Sequence, residues 1–461
     1  MLTVVSLFPL YLLGLGFLLV PVSPKLFENQ SSGPKRARLL ALLMAFGLMA
    51  NYLLTLILES LQVSLVAGVL LSLTGAALAV RCLGRGIFGL FGIGWIRWGI
   101  VLYITLLYLM PILFDPLSAG DARSIWFFHG KIIFFNDALN GSGGWADKAI
   151  EFSHVDYPKF VGIIAAQCAT VAGFWNEFLP KASLLVLFFC AILGLLSFFE
   201  RNWIDFSFLM ALFVFSLGQL LWDGYMDGYL ALYVGTSILF LGRWLDELDP
   251  NDLVAGALFL GVAGNLKNEG ILLVFSILTA LIILSLVVRR QNPHTGGRLS
   301  LQRWFLLPVA LPVTAYILWM GKKLAWGLNN DLQLGTGSFA KISARISDGA
   351  FGLIGSFLMV HGFVGKAIVL FLIVLVVAKT VRVRLSGGCW LALLTACIYF
   401  SGIFLIYLAT PADLGWHLQT SASRTMLPVL LMLFAAAFSL MRGVEASIWP
   451  HHISHQRGDQ S

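Results

Sequence analysis

Five short segments bring carboxylates and cations into a chain that is otherwise strongly apolar. FDPLSAGDARSIW supplies Asp115, Asp121 and Arg123, with His129 and Lys131 in the apolar stretch that follows. SHVDYPKF supplies His154, Asp156 and Lys159 around Pro158, which holds the residue before it in extended backbone. WDGYMDGYLALY sets Asp223 and Asp227 four residues apart, with Tyr225 and Tyr229 at the same spacing, so each pair can share one face of a helix start. GNLKNEG holds Lys267, Asn268 and Glu269, and HLQTSASRTMLP holds Arg424.

These residue types suit two tasks. A carboxylate without a basic neighbour in sequence can take a proton from a hydroxyl, which is general-base work. Cations fixed near a low-dielectric boundary can stabilise negative charge as it develops on a leaving group, and a forked guanidinium such as Arg424 matches phosphate oxygens better than an ammonium does. Each segment also has a plainer explanation. Asp121, after Ser118-Ala119-Gly120, could be a helix N-cap, Lys267 and Glu269 a solvated turn, and Arg424 a snorkelling arginine. Trp126, Trp145, Trp222, Tyr225 and Tyr229 offer flat faces for stacking, although aromatics also gather at membrane interfaces for their own sake. No metal-ligand spacing is present, and Asp223 with Asp227 makes only a weak set for a divalent ion.

The elements that must position these groups follow from composition. Of 461 residues, 59% are hydrophobic and 11% charged, against about a quarter charged in soluble domains. Apolar runs near the roughly 20 residues needed to cross a bilayer recur along the whole chain. They lack the alternation of barrel strands. The sequence therefore predicts an all-α polytopic membrane protein with about thirteen transmembrane helices. Its formal charge of +7 is scattered through short connections, which argues against nucleic acid as a partner. Cys82, Cys168, Cys190, Cys389 and Cys397 show neither CxxC spacing nor a disulfide framework. The first apolar run, Leu2 to about Val22, is too long for the core of a signal peptide and reads as a retained span.

Orientation follows from the excess of basic residues in cytoplasmic connections. Lys25, Lys35, Arg36 and Arg38 follow the first run, and Arg81, Arg85 and Arg97 follow the third, while Glu59 to Gln62 carries no basic residue. This sets the N-terminus outside and sends the run Trp95 to Phe114 outward, so that residues 115–181 form a large extracytoplasmic loop. Phe160 to Phe174 is short for a crossing and reads as an interfacial or re-entrant helix lying on the bundle. Arg201, Arg243, Arg289, Arg290, Arg298, Arg303, Lys379, Arg382, Arg384 and Arg442 then fall inside. Residues 1–94 form three N-terminal spans, 95–441 the core, and 442–461 a short cytoplasmic tail. Lys322, Lys323, Lys341 and Arg345, in a second outer loop at 321–365, break the rule and ask for a reason such as an anionic ligand.

The order of these motifs resembles the GT-C superfamily of membrane glycosyltransferases, in particular the bacterial relatives of protein O-mannosyltransferases and of the lipid A aminoarabinose transferase. Asp121-Ala122-Arg123 is similar to the acidic motif that opens the family's first outer loop, with Ala122 in place of a second carboxylate. His154 to Phe160 resembles the proline motif before an amphipathic outer helix. Gly224-Tyr225-Met226-Asp227 and Lys267 to Gly270 resemble the family's outer turns, and Arg424 before Leu427-Pro428 its final span. Two features depart: three spans precede the acidic loop, and only the short tail follows the last span. The resemblance implies an inverting transferase of a cell (inner) membrane that uses a polyprenyl-phosphate-linked sugar as co-substrate, with membrane lipids around it and an acceptor of unspecified kind. Asp121 would be the general base, with Asp156 and Asp227 as further catalytic carboxylates. Arg123, His154, Asp223, Tyr225, Lys267, Glu269 and Arg424 would bind sugar and phosphate, with no metal and no other cofactor. The competing expectation is a transporter or flippase of a lipid-linked or anionic substrate, whose marks are mid-span charges and an internal two-fold repeat.

Overall fold

A computed structural model describes residues 2–28, 30–140, 144–199, 203–291, 306–329 and 337–448. Arg201, Arg298, Arg303 and residues 449–461 of the expected tail lie outside the described residues, as do the side chains of Arg289 and Arg290. The described residues form helices and no strands, apart from one isolated bridge between Ser60 and Ala138.

The N-terminal unit comprises α1 (Leu2–Gly16), α2 (Gly33–Leu58), α3 (Leu61–Leu83) and the short α4 (Gly86–Leu90). Next come α5 (Trp95–Phe114), α6 (Phe127–Asn136) and α7 (Phe160–Ala172), then α8 (Ala182–Leu196) and α9 (Trp203–Met210). The remainder is α10 (Met226–Glu247), α11 (Pro250–Leu266), α12 (Glu269–Gln291), α13 (Leu306–Ala325), α14 (Ser338–Ser347), α15 (Ala350–Val360), α16 (Val364–Thr380), α17 (Gly387–Ala409), α18 (Leu414–Thr425) and α19 (Leu427–Ile448). By length and composition, eight described helices can cross a membrane, or nine if α15 and α16, bent by 61°, count as one span. The expected thirteen counted shorter pieces: α1 has 15 residues, α9 has 8 and α11 has 17.

The long helices sort by what surrounds them. The apolar windows of α2, α8 and α10 are 78%, 94% and 83% buried, whereas those of α3 and α5 are 22% buried, so the former make the core and the latter face lipid. Apolar surface on all sides is what either position requires, because lipid and protein interior are equally dry. Where α10 crosses α17 the backbones nearly touch: a Cβ on Gly242 would lie 2.7 Å from the Cα of Gly388. Small residues permit this approach, and dispersion over the closed gap holds the pair.

The 13-residue α7 does not lie on the bundle. Its residues Phe160 to Ala169 are buried, and Gln167 exchanges side-chain hydrogen bonds of 2.7 and 3.0 Å with Asn51 of α2. Residues 160–169 therefore fold into the protein, where a buried amide pair satisfies both polar ends.

The basic residues at 322, 323 and 345 find intramolecular partners instead of a free anion site. Lys322 pairs with Glu59 and Lys323 with Asp156, while Arg345 donates to the carbonyls of Tyr407, Leu408 and Ala412 at the end of α17. A guanidinium there satisfies carbonyls that the helix leaves unpaired.

Candidate active site

The five segments meet at one end of the bundle. Asp121 stands at the head of a continuous helix whose first turn, Ala122–Trp126, is π-type and which continues as α6. Its side chain makes no cap hydrogen bond, so the N-cap explanation fails. Its carboxylate instead accepts from the guanidinium of Arg424, near the end of α18. Ala122 is buried against the turn before α10: Gly224 has φ +92°, and a Cβ there would sit 2.6 Å from the Cβ of Ala122. A second carboxylate after Asp121 has no room at this contact.

Arg424 is shared. The Nη that bonds Asp121 lies 3.6 Å from Oδ2 of Asp227, the other Nη donates to the Thr420 carbonyl at 3.1 Å, and the guanidinium sits 4.8 Å from the centre of the Tyr225 ring. Asp227, in the first turn of α10, accepts from Nζ of Lys267 at 2.9 Å, and the same Nζ lies 3.0 Å from Oε1 of Glu269. Lys267 is extended between α11 and α12. Burial opposes its charge, but Asp227 and Glu269 outweigh burial and hold its pKa well above the usual lysine value.

Three carboxylates, Asp121, Asp227 and Glu269, thus share two cations, Arg424 and Lys267. Asp227 Oδ2 and Glu269 Oε2 are buried without a hydrogen-bond partner. Both residues line a narrow crevice with Leu230, Tyr399, Arg424, Thr425 and Pro428. Buried acceptors are rarely left unpaired, and both of these belong to residues that line the crevice.

Other predicted residues lie around this centre. Asp223 holds the turn before α10 by accepting from the Tyr225 amide at 2.9 Å, and burial pushes its carboxyl up to about 6. Asp156 does not line the crevice: its Oδ2 accepts from Asn268 at 2.6 Å and from Lys323 at 3.1 Å, tying the outer loop to α12 and α13. His154 stacks on Tyr157, which stacks on Trp126. Arg123 is exposed and joins none of the ion pairs. Trp126, Trp145 and Tyr229 are buried in packing, and the Tyr229 hydroxyl is spent on the carbonyls of Leu184 and Leu221. Of the aromatic faces considered for a sugar, Tyr225 is half-buried beside Arg424. Among the described residues no group of three His, Cys, Asp or Glu side chains could hold a metal ion.

Lys159 is fully buried behind the site. Its Nζ donates to Val155 O at 2.8 Å, lies 3.2 Å from Nδ1 of His129, and sits 3.8 Å from the centre of the Trp145 ring. Burial drives the pKa of both Lys159 and His129 well down. Because His129 and Asp121 belong to one continuous helix, this contact braces the helix that presents Asp121.

Sequence reasoning missed Tyr399, Thr425 and Tyr407. Tyr399 OH donates to Thr425 O at 3.3 Å, and Tyr407 OH is within 2.7 Å of Ser421 and 3.1 Å of Thr425. The two tyrosines stand about two turns apart on one side of α17, the helix spacing that was available as a signal.

Fold and site together define a helical multi-pass membrane protein with a buried, acid-rich ionic centre at one end of its bundle. No family model, curated protein or solved structure matches the chain.

Proposed function

We propose that the protein is a membrane glycosyltransferase that moves a sugar from a polyprenyl-phosphate-linked donor to an acceptor hydroxyl, with its centre on the extracytoplasmic face. The observation that carries this reading is the placement of two carboxylates, Asp121 and Asp227, on one guanidinium, that of Arg424. General base and phosphate-stabilising cation are the two groups that such a transfer needs side by side. The oxygen of the acceptor attacks the anomeric carbon, and its proton passes to a carboxylate of the site, Asp121 in our assignment. The bond from the anomeric carbon to the phosphate oxygen breaks, and its electron pair leaves on the polyprenyl phosphate, where Arg424 and Lys267 stabilise the charge. A phosphate already of low pKa leaves without being protonated. Asp227 Oδ2 and Glu269 Oε2, which lack a hydrogen-bond partner among the described residues, are the acceptors for sugar hydroxyls.

The test is transfer of radiolabelled sugar from a panel of polyprenyl-phosphate sugars by the protein in lipid nanodiscs, with the Asp121→Asn variant beside the parent. Activity in the parent and a loss on the order of a thousandfold in the variant are expected. A parent that binds these lipids and moves them between leaflets, transferring nothing to any acceptor, would make the protein a flippase.

A further inference from the structure

The cation that the proposed transfer uses is already occupied. Arg424 has one Nη on Asp121, the other on the Thr420 carbonyl, and its face against Tyr225. An anion that reaches this guanidinium must therefore displace a carboxylate, and the two candidates are unequal. Asp227 is 4% exposed at its side chain and also bonded to Lys267, so moving it would strand a buried lysine. Asp121 is 28% exposed, and among the described residues Arg424 is the partner of its side chain. Its carboxylate can leave Arg424 and rehydrate at little cost.

We infer that Arg424 masks Asp121 until the donor phosphate displaces it, so that the base becomes free to accept a proton only when the phosphate is seated. This rests on the proposed function and adds regulation of the same site: phosphate binding and release of the base are one exchange on one guanidinium. The donor must then bind before the acceptor is deprotonated, and a site without donor cannot activate water or another hydroxyl.

The inference has an unusual consequence: removing the base should improve binding of the phosphate. The experiment measures the Kd of farnesyl phosphate, a short lipid phosphate with no sugar, for the protein in nanodiscs. The parent, Asp121→Asn, Asp121→Ser, Asp223→Asn, Arg424→Gln and the Asp121→Asn/Arg424→Gln double variant are compared, each after a thermal unfolding trace has verified folding. Both Asp121 variants are expected to bind about three- to fivefold more tightly than the parent, the size of a partly exposed charge pair relieved of competition. In the Arg424→Gln background the gain should vanish, since the competition runs through that side chain. Asp223→Asn, which removes a nearby negative charge that is not on Arg424, should change Kd less than twofold. Equal or weaker binding by both Asp121 variants would overturn the inference and leave the transferase reading standing. An equal gain in Asp223→Asn would overturn it as well, because general repulsion would then explain the effect. If neither the parent nor any variant binds the lipid phosphate, the inference and the proposed function both fail.

Discussion

Two ionic clusters occupy opposite ends of the same helices, and they differ in whether every carboxylate oxygen has a donor among the described residues. In α10, Asp227 and Arg243 are sixteen residues apart, about 24 Å along the axis. At the Arg243 end, Asp252 accepts from Arg243 at 2.6 and 2.9 Å and pairs with Arg38 at 2.9 Å. Asp249 takes Arg38 at 2.7 Å on one oxygen and the Asn251 amide at 2.9 Å on the other. Two carboxylates thus meet two guanidiniums, and every carboxylate oxygen has a donor. At the Asp227 end three carboxylates meet two cations, and two buried carboxylate oxygens lack a hydrogen-bond donor among the described residues. The saturated cluster ties α2 to α10 and α11. The unsaturated one keeps binding capacity at a cost in stability, which is how sites for substrates differ from structural ion pairs.

Substitutions at the two ends should therefore fail in different ways. The largest effect is expected from Lys267→Met, which leaves Asp227 and Glu269 facing each other without their shared cation. Transfer in the nanodisc assay should fall by two orders of magnitude or more, as when a group stabilising transition-state charge is removed. At the other end Asp252→Asn takes the carboxylate from Arg243 and leaves Arg38 with Asp249 alone. It should cost about 3–5 kcal/mol in unfolding experiments, while each folded molecule keeps parental activity. Comparable loss of activity from Asp252→Asn at intact folding would erase the distinction between the clusters.

A smaller effect should appear in the pH dependence of stability. Burial raises the Asp223 carboxyl from 3.8 to about 6. Between those values the folded state holds a proton that the unfolded state has released, so stability falls as pH rises from about 4 to about 6 and is level above. Asp223→Asn should flatten this slope in thermal melts recorded across the range. The smallest effect is reserved for Lys322→Met. Its partner Glu59 is 50% exposed at the side chain, and exposed pairs contribute about 0–1 kcal/mol, so a change in melting near the error of measurement is expected.

Parts of this arrangement were legible before any coordinates. The apolar runs announced helices in a membrane, and the five polar segments named every charged residue of the ionic centre: Asp121, Asp227, Lys267, Glu269 and Arg424. The readings that went astray concern solvation. Phe160 to Phe174 reads as too short for a crossing and so as an interfacial or re-entrant helix, yet Phe160 to Ala169 is buried, and Asn51, far away in sequence, satisfies Gln167 there. Lys322, Lys323 and Arg345 looked like an anion ring, yet carboxylates and helix-end carbonyls from distant segments absorb them.

By itself the sequence determined the phase in which the chain folds and the chemical types gathered at one end, because hydropathy and charge act locally and are read residue by residue. Only the tertiary structure decided which carboxylate meets which cation, and which oxygens are left without a donor. Asp121 and Arg424 are 303 residues apart, and no local rule links positions at that distance. Their pairing is set by how α6, α10 and α18 pack, and packing is a property of the whole bundle.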